Sequence, residues 1–464
     1  MSLFKNLFDS YDQFHASEII TNRFSLELFQ ETLSTYSLNY SVEVIGESIE
    51  GREIKVIKIG NGNTKVLMWT QMHGDESTAT RAILDILKFL NSPGDLKDVQ
   101  QSISNSLTLY IIPILNPDGA VRFQRRNALD IDLNRDARAF ASPEARILRD
   151  MIQDFQPDYG FNLHDQNRSY NISGLHTPST ISFLAPSFNL EEDINEIRAE
   201  AMKLIAMIRK GLEKVIPRQV GLYKSDYSPR GFGDYAQGQG VSTILVESGW
   251  FHNDPEKEFV RKLNFCLLTY ALDAITDKKH EKYGISDYNV IPFMDETFFD
   301  FLIRNVKVSK DGSDYSIDIG IRHEEVNNGN VCDYFTMGKV SEIGDLSTCL
   351  GFTVLEEKEL YLQPGKVWSE PVGSLEEFGQ EKVLDLVRQG YLFIKSKDAT
   401  DGGNTNQPIN LVSKDYLPEK LPQINGLANF LLTSKAGEVK YVVVNGYLWK
   451  VDDPISENFV GLIF

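Results

Sequence analysis

Cysteine is scarce in this chain of 464 residues. Cys266, Cys332 and Cys349 are odd in number, far apart, and none sits in a CxxC pair. That usage argues against a disulfide framework, and the three read as small buried hydrophobes. Long apolar runs are also missing. No stretch of 18 apolar residues occurs, so no spanning helix is expected. The opening MSLFKNLFDSYDQFH has no long apolar core ahead of a small-residue cleavage site. A secretory signal is therefore not expected, and a cytoplasmic location is. Basic residues are in deficit: 47 Lys and Arg against 66 Asp and Glu give a net charge of -19. Such a surface is a poor partner for nucleic acid or anionic membrane. No repeat of fixed period is found.

Apolar residues are plentiful at 42%, enough for more than one core over this length. KVLMWT (65–70) is a short apolar run that predicts a buried strand, and TATRAILDILKFL after it has helical periodicity. SLTLYIIPIL (106–115) predicts a second strand, stopped by the turn signal Asn116-Pro117-Asp118-Gly119. A helix at about 143–154, a strand ending in YGFNLH (159–164) and a helix at about 191–215 follow. VSTILV (241–246) is again a strand, and a helix over about 255–274 closes the series. Alternation of this kind predicts an α/β sheet covered by helices. After about residue 276 the pattern turns to strands, such as FLIRNVKVS and SIDIGIRH. Asn445-Gly446 between apolar runs is a hairpin signal. The chain thus divides into an α/β domain over 1–280, with its core at about 50–275, and a smaller β-rich accessory domain over 290–464. The accessory domain reads as sandwich-like, and DATDGGNTNQ (398–407) within it as a flexible surface loop.

His73-Gly74-Asp75-Glu76 lies between a strand and a helix, where open α/β sheets place their ligands. Side chains three apart on a helix or tight turn share a direction, and both types bind zinc. His164 also follows an apolar strand. Two histidines and one glutamate leave a fourth position for water, the catalytic pattern of zinc. Glu247 ends the strand VSTILVE, where a carboxylate costs solvation unless it has a partner or a task. Beside an activated water it would serve as general base. Arg122, Arg125, Arg126, Arg135 and Arg138 crowd a short stretch of an acidic chain. One would stabilise an oxyanion, and another would grip a free carboxylate, a task that suits Arg135 beside Asn134. Asp165 is a candidate to support the metal site or cap a turn.

Taken together, HGDE (73–76), NPDGAVRFQRRNALDIDLNRD (116–136), the histidine of NLHDQ (162–166) and the glutamate of LVESG (245–249) resemble the zinc carboxypeptidase family. The resemblance spans about residues 50–275. It implies a mixed eight-stranded sheet flanked by helices. His73, Glu76 and His164 look like the ligands of one zinc per chain, and Glu247 like the general base. Arg125 looks like the arginine that polarises the scissile carbonyl. Asn134 and Arg135 look like the pair that receives the terminal carboxylate. Tyr223 is the first candidate for the family's mobile tyrosine, followed by Tyr227 and Tyr235. Asp234 lies near where the family lines its specificity pocket.

The implied activity is hydrolysis of the C-terminal bond of a peptide or peptide-like substrate with a free carboxylate. Asp165 departs from the digestive enzymes, and the segment between Glu76 and His164 is short. The arrangement also resembles the aspartoacylase and succinylglutamate desuccinylase branch, which would take an N-acyl amino acid. The NPDG and RRN elements favour the peptidase. A third reading is a non-catalytic binding protein on the same fold. Self-association through the C-terminal domain is a further expectation.

Overall fold

A computed structural model describes residues 2–37, 39–328, 330–375, 378–397, 402–455 and 459–464. The chain forms two compact units, Met1–Glu296 and Thr297–Phe464. Residues 398–401 of the expected surface loop lie outside the described residues.

The strands of the first unit are β1 (Ser41–Glu47), β2 (Glu53–Ile59), β3 (Thr64–Trp69), β4 (Leu107–Ile112), β5 (Tyr159–Asp165), β6 (Asn171–Ile172), β7 (Ile181–Leu184), β8 (Val220–Leu222), β9 (Ser242–Ser248) and β10 (Met294–Asp295). Its helices are α1 (Leu3–Ser10), α2 (Leu26–Tyr36), α3 (Thr78–Asn91), α4 (Lys97–Ser106), α5 (Pro117–Ala120), α6 (Pro143–Phe155), α7 (Glu196–Leu212), α8 (Phe232–Gly238), α9 (Glu258–Thr276) and α10 (Ile285–Asn289). Eight strands make one mixed sheet in the order β1-β2-β4-β3-β5-β9-β7-β8. The central run β4-β3-β5-β9 is parallel, so these strands deliver their C-terminal ends to one edge. Both faces are covered, as a parallel sheet requires. Leu163 and Phe161 of β5 join the core beneath α3, α7 and α9. Leu67 and Trp69 of β3 enter a second core with α6 and α8.

Local chemistry explains where these helices start. The Asn195 side chain accepts from Arg198 N at 2.9 Å, so α7 begins later than periodicity suggests. Lys257 takes a left-handed φ of 53°, which delays α9 until Glu258. No helix among the described residues is long and apolar enough to cross a membrane.

The second unit holds β11 (Phe298–Lys310), β12 (Ser313–Asn327), β13 (Tyr334–Gly344), β14 (Leu350–Glu356), β15 (Tyr361–Pro364), β16 (Lys366–Val372), α11 (Gln380–Arg388), β17 (Tyr391–Ser396), β18 (Asn410–Val412), β19 (Phe430–Thr433), β20 (Val439–Val444) and β21 (Tyr447–Lys450). It is β-rich, but it is not a plain sandwich of antiparallel sheets. An eight-stranded sheet is joined by a three-stranded one, β16-β17-β18, whose pairs are parallel. Parallel neighbours need a crossover, and α11 supplies the one between β16 and β17. The hairpin at Asn445-Gly446 forms as expected, with φ of 50° and 75° at its two central residues. The cysteine expectation holds for Cys266, which is buried, but Cys349 is only half-buried and Cys332 is exposed in the β12–β13 connection.

Candidate metal centre

The segment between β3 and α3 folds back tightly, and Glu76 N donates to His73 O at 3.2 Å. Gly74 makes this possible. A Cβ there would lie 2.0 Å from the Gly119 carbonyl carbon, so the NPDG segment packs directly on its backbone. β5 carries His164 to the same edge. Its neighbour β9 pairs Glu247 opposite His164, so both side chains leave the sheet on one face.

One ligand atom from each of His73, Glu76 and His164 lies within 4.8 Å of the others, and all three residues are buried. Glu76 Oε1 is 2.7 Å from His73 Nδ1, and Oε2 is 2.7 Å from His164 Nδ1. Burial opposes the Glu76 charge, yet the two imidazoles hold its carboxyl far below the ordinary range. Burial alone would discharge His73, but Glu76 and Asp132 outweigh it and push the imidazole up to about 9. His164 is moved the other way, mainly by burial. The pocket thus demands positive charge beside Glu76.

His73 Nδ1 meets two opposite demands. Glu76 Oε1 is an acceptor, while Arg125 Nη1 approaches the same nitrogen at 3.0 Å as a donor. His73 Nε2 lies 3.1 Å from Asp132 Oδ1, which holds the other ring proton. A neutral imidazole with its Nδ1 lone pair directed inward, and a cation shared with Glu76, meets both demands. The donor set of two imidazoles and one carboxylate therefore fits a zinc ion.

Glu247 stands beside this cluster, part-exposed, and its carboxylate has no hydrogen bond among the described residues. Burial, then the charge of Glu76, raises its pKa well above the ordinary glutamate range. Arg125 is 43% exposed at its side chain and anchored by Asp132, with Nε to Oδ2 at 3.1 Å and Nη2 to the same oxygen at 3.0 Å. Its Nη1 is 3.3 Å from Glu76 Oε1. Asn134 Oδ1 accepts from Phe232 N at 2.9 Å, which leaves Nδ2 3.5 Å from His164 Nε2. Arg135 is exposed, donates to its neighbour's carbonyl at 2.7 Å, and makes no ion pair among the described residues.

The other arginines of the cluster turn elsewhere. Arg122 pairs with Glu50, and Arg126 reaches the Asp130 carbonyl at 2.8 Å. Tyr223 donates to Gln166 Oε1 at 3.1 Å and packs against Tyr170. Tyr235 instead packs against Phe140 and Phe232. Asp234 lies in the first turn of α8, accepts from Ser228 N, and is pushed up to about 6 by burial. Asp132 was not singled out in the sequence, although it braces both His73 and Arg125. The only trace of it is its place in DIDLNRD, two residues before Asn134.

Residues 25–136 match the model of a family described as zinc carboxypeptidase. The resemblance drawn from the motifs is borne out there. That span includes His73, Glu76, Arg125, Asn134 and Arg135, and ends before His164, Tyr223 and Glu247. Among curated proteins, carboxypeptidase 2 of Trichophyton rubrum is 25% identical over 142 residues, 29% of this chain and 25% of that protein. Carboxypeptidase D of Drosophila melanogaster is 28% identical over 130 residues, 24% of this chain and 9% of that protein. The chain spans about a third or less of the length of the curated relatives it matches. Among solved structures, a metallo-carboxypeptidase from Burkholderia cenocepacia is 22% identical, with a TM-score of 0.44, covering 56% of this chain and 71% of that one. Carboxypeptidase A from Helicoverpa armigera is 18% identical, with a TM-score of 0.44, covering 60% of this chain and 82% of that one.

Proposed function

We propose that the chain is a metallocarboxypeptidase that hydrolyses the C-terminal bond of a peptide or peptide-like substrate, with one zinc held by His73, Glu76 and His164. The observation that supports it best is a single juxtaposition. The three donor side chains converge within 4.8 Å, and Glu247 is paired in register with His164. When bound, zinc supplies Lewis acidity that makes a water acidic enough to be deprotonated near neutral pH.

This chain's residues do the rest. The Glu247 carboxylate takes the proton of the attacking water and later delivers it to the leaving nitrogen. Its raised pKa suits both halves of that transfer. Arg125, fixed by Asp132, donates to the carbonyl oxygen as negative charge develops there. Asn134 Nδ2 and the Arg135 guanidinium receive the terminal carboxylate of the substrate, and two-point binding by arginine suits a planar anion. Tyr223, released from Gln166, covers the bound end.

The test begins with elemental analysis of purified protein, wild type against a His164→Ala, Glu76→Ala double variant. The expected result is one zinc per chain in wild type and none in the variant. Dipeptides and N-acyl amino acids are then compared as substrates. A wild-type protein that takes up no zinc after supplementation defeats the proposal, and preferential cleavage of acyl amino acids reassigns the substrate.

A further inference from the structure

The residue after each of two functional positions is held by one buried ammonium group. Lys257 Nζ lies 3.1 Å from Asp165 Oδ2 and donates to the Ser248 carbonyl at 3.1 Å. Asp165 follows the ligand His164, and Ser248 follows Glu247. Asp165 Oδ2 also accepts from Thr78 Oγ1 at 2.6 Å, and Thr78 lies two residues after Glu76. The Asp165 backbone N–H reaches Glu76 Oε2 at 3.2 Å. The Lys257 and Asp165 side chains are only 11% and 9% exposed. Burying a lysine so far is costly unless its charge is paired and all its donors are used.

Lys257 is also placed against the local backbone preference. It adopts a left-handed φ of 53° at the start of α9, where its N–H donates to the Asp254 carbonyl at 3.1 Å. Asp254 in turn accepts from Phe259 N and Val260 N, which anchors this turn to the helix. The ammonium thus projects from a rigid base to the ends of β5 and β9.

We infer that Lys257, through Asp165 and Thr78, is a positioning residue that holds the segments bearing His164, Glu247 and Glu76 at the spacing the metal requires. This inference rests on the zinc reading above. Among the described residues the Lys257 ammonium hydrogen-bonds to Asp165 and Ser248, and to no atom of His73, Glu76, His164 or Glu247. Its effect is exerted through the Asp165 carboxylate and the Asp165 N–H on Glu76. Removing groups that brace metal ligands weakens metal affinity by about 10–100-fold.

The experiment measures zinc affinity by competition with a chelating dye, which needs no substrate. Wild type, Lys257→Met, Lys257→Arg and Thr78→Val are compared, with circular dichroism of each metal-free protein as a check of folding. The expected result is a 10–100-fold loss of affinity in Lys257→Met with the wild-type spectrum. Lys257→Arg, which keeps the charge, recovers most of the loss, and Thr78→Val shows a smaller one. A folded Lys257→Met protein that binds zinc as tightly as wild type overturns the inference and leaves the zinc reading standing. If Lys257→Met does not fold, unchanged affinity in Thr78→Val overturns it instead. A wild type that binds no zinc overturns the reading beneath it.

Discussion

At the scale of single residues, Glu247 is the sharpest probe of the proposed chemistry. Glutamine in its place keeps shape and removes the base. Activity should fall by about 10²–10⁴-fold, while bound zinc measured by elemental analysis stays at the wild-type level. Equal loss of zinc and activity would mean that Glu247 holds the site together and does not transfer protons. The same carboxyl sets the acidic side of the pH profile. Burial and Glu76 raise its pKa, and the base must be ionised to act. Activity therefore declines as pH falls through the raised value. The acidic limb of kcat/KM should lie above the ordinary glutamate value of about 4.3. A limb at or below that value speaks against Glu247 as the base.

At the scale of elements, the β3–α3 turn and the NPDG segment depend on each other. Gly74→Ala places a methyl 2.0 Å from the Gly119 backbone, which cannot yield as a flexible side chain would. The backbone must shift, carrying His73 and Glu76 with it. The expected outcome is a lower Tm together with weaker zinc binding, read by thermal melting and dye competition. Much at this scale was legible beforehand. The apolar run at 65–70 became β3, and YGFNLH became most of β5, because short buried strands have a strong local signature. The antiparallel β1 and β2 were not legible. No residue of β1 is buried, so no clean alternation marks it, whereas Ile54, Val56, Ile57 and Ile59 of β2 are buried. Pairing with β4 settles β2 in the sheet, and that contact spans some fifty residues.

At the scale of the whole chain, a buried charge network ties the first unit together. Asp85 of α3 and Arg261 of α9 meet at 2.6 Å with both side chains fully buried. Arg261 also donates to the Ala16 and Ile19 carbonyls, and Tyr11 donates to Asp85 at 2.9 Å. Asp85→Ala would leave the buried guanidinium with only the part-exposed Glu258, at 3.2 Å, as a carboxylate partner. The expected loss is about 3–5 kcal/mol, measured by urea denaturation. A loss under about 1 kcal/mol, the size typical of an exposed pair, would mean that Glu258 or water takes over the role of the Asp85 carboxylate.

The sequence by itself determined the chemistry on offer. Histidine and carboxylate at strand ends, arginines before DLNR and a glutamate closing an apolar strand are local features, readable from residue type and near neighbours. The tertiary structure alone decided which of them meet. Strand order sets β5 between β3 and β9, which brings His164 to Glu76 across 88 residues and Glu247 to His164 in register. It also recruited Asp132, Lys257 and Thr78, whose roles come from hydrogen bonds between distant segments. Such partners leave no periodic trace, because a buried polar group is matched to whatever the packed fold brings within about 3 Å.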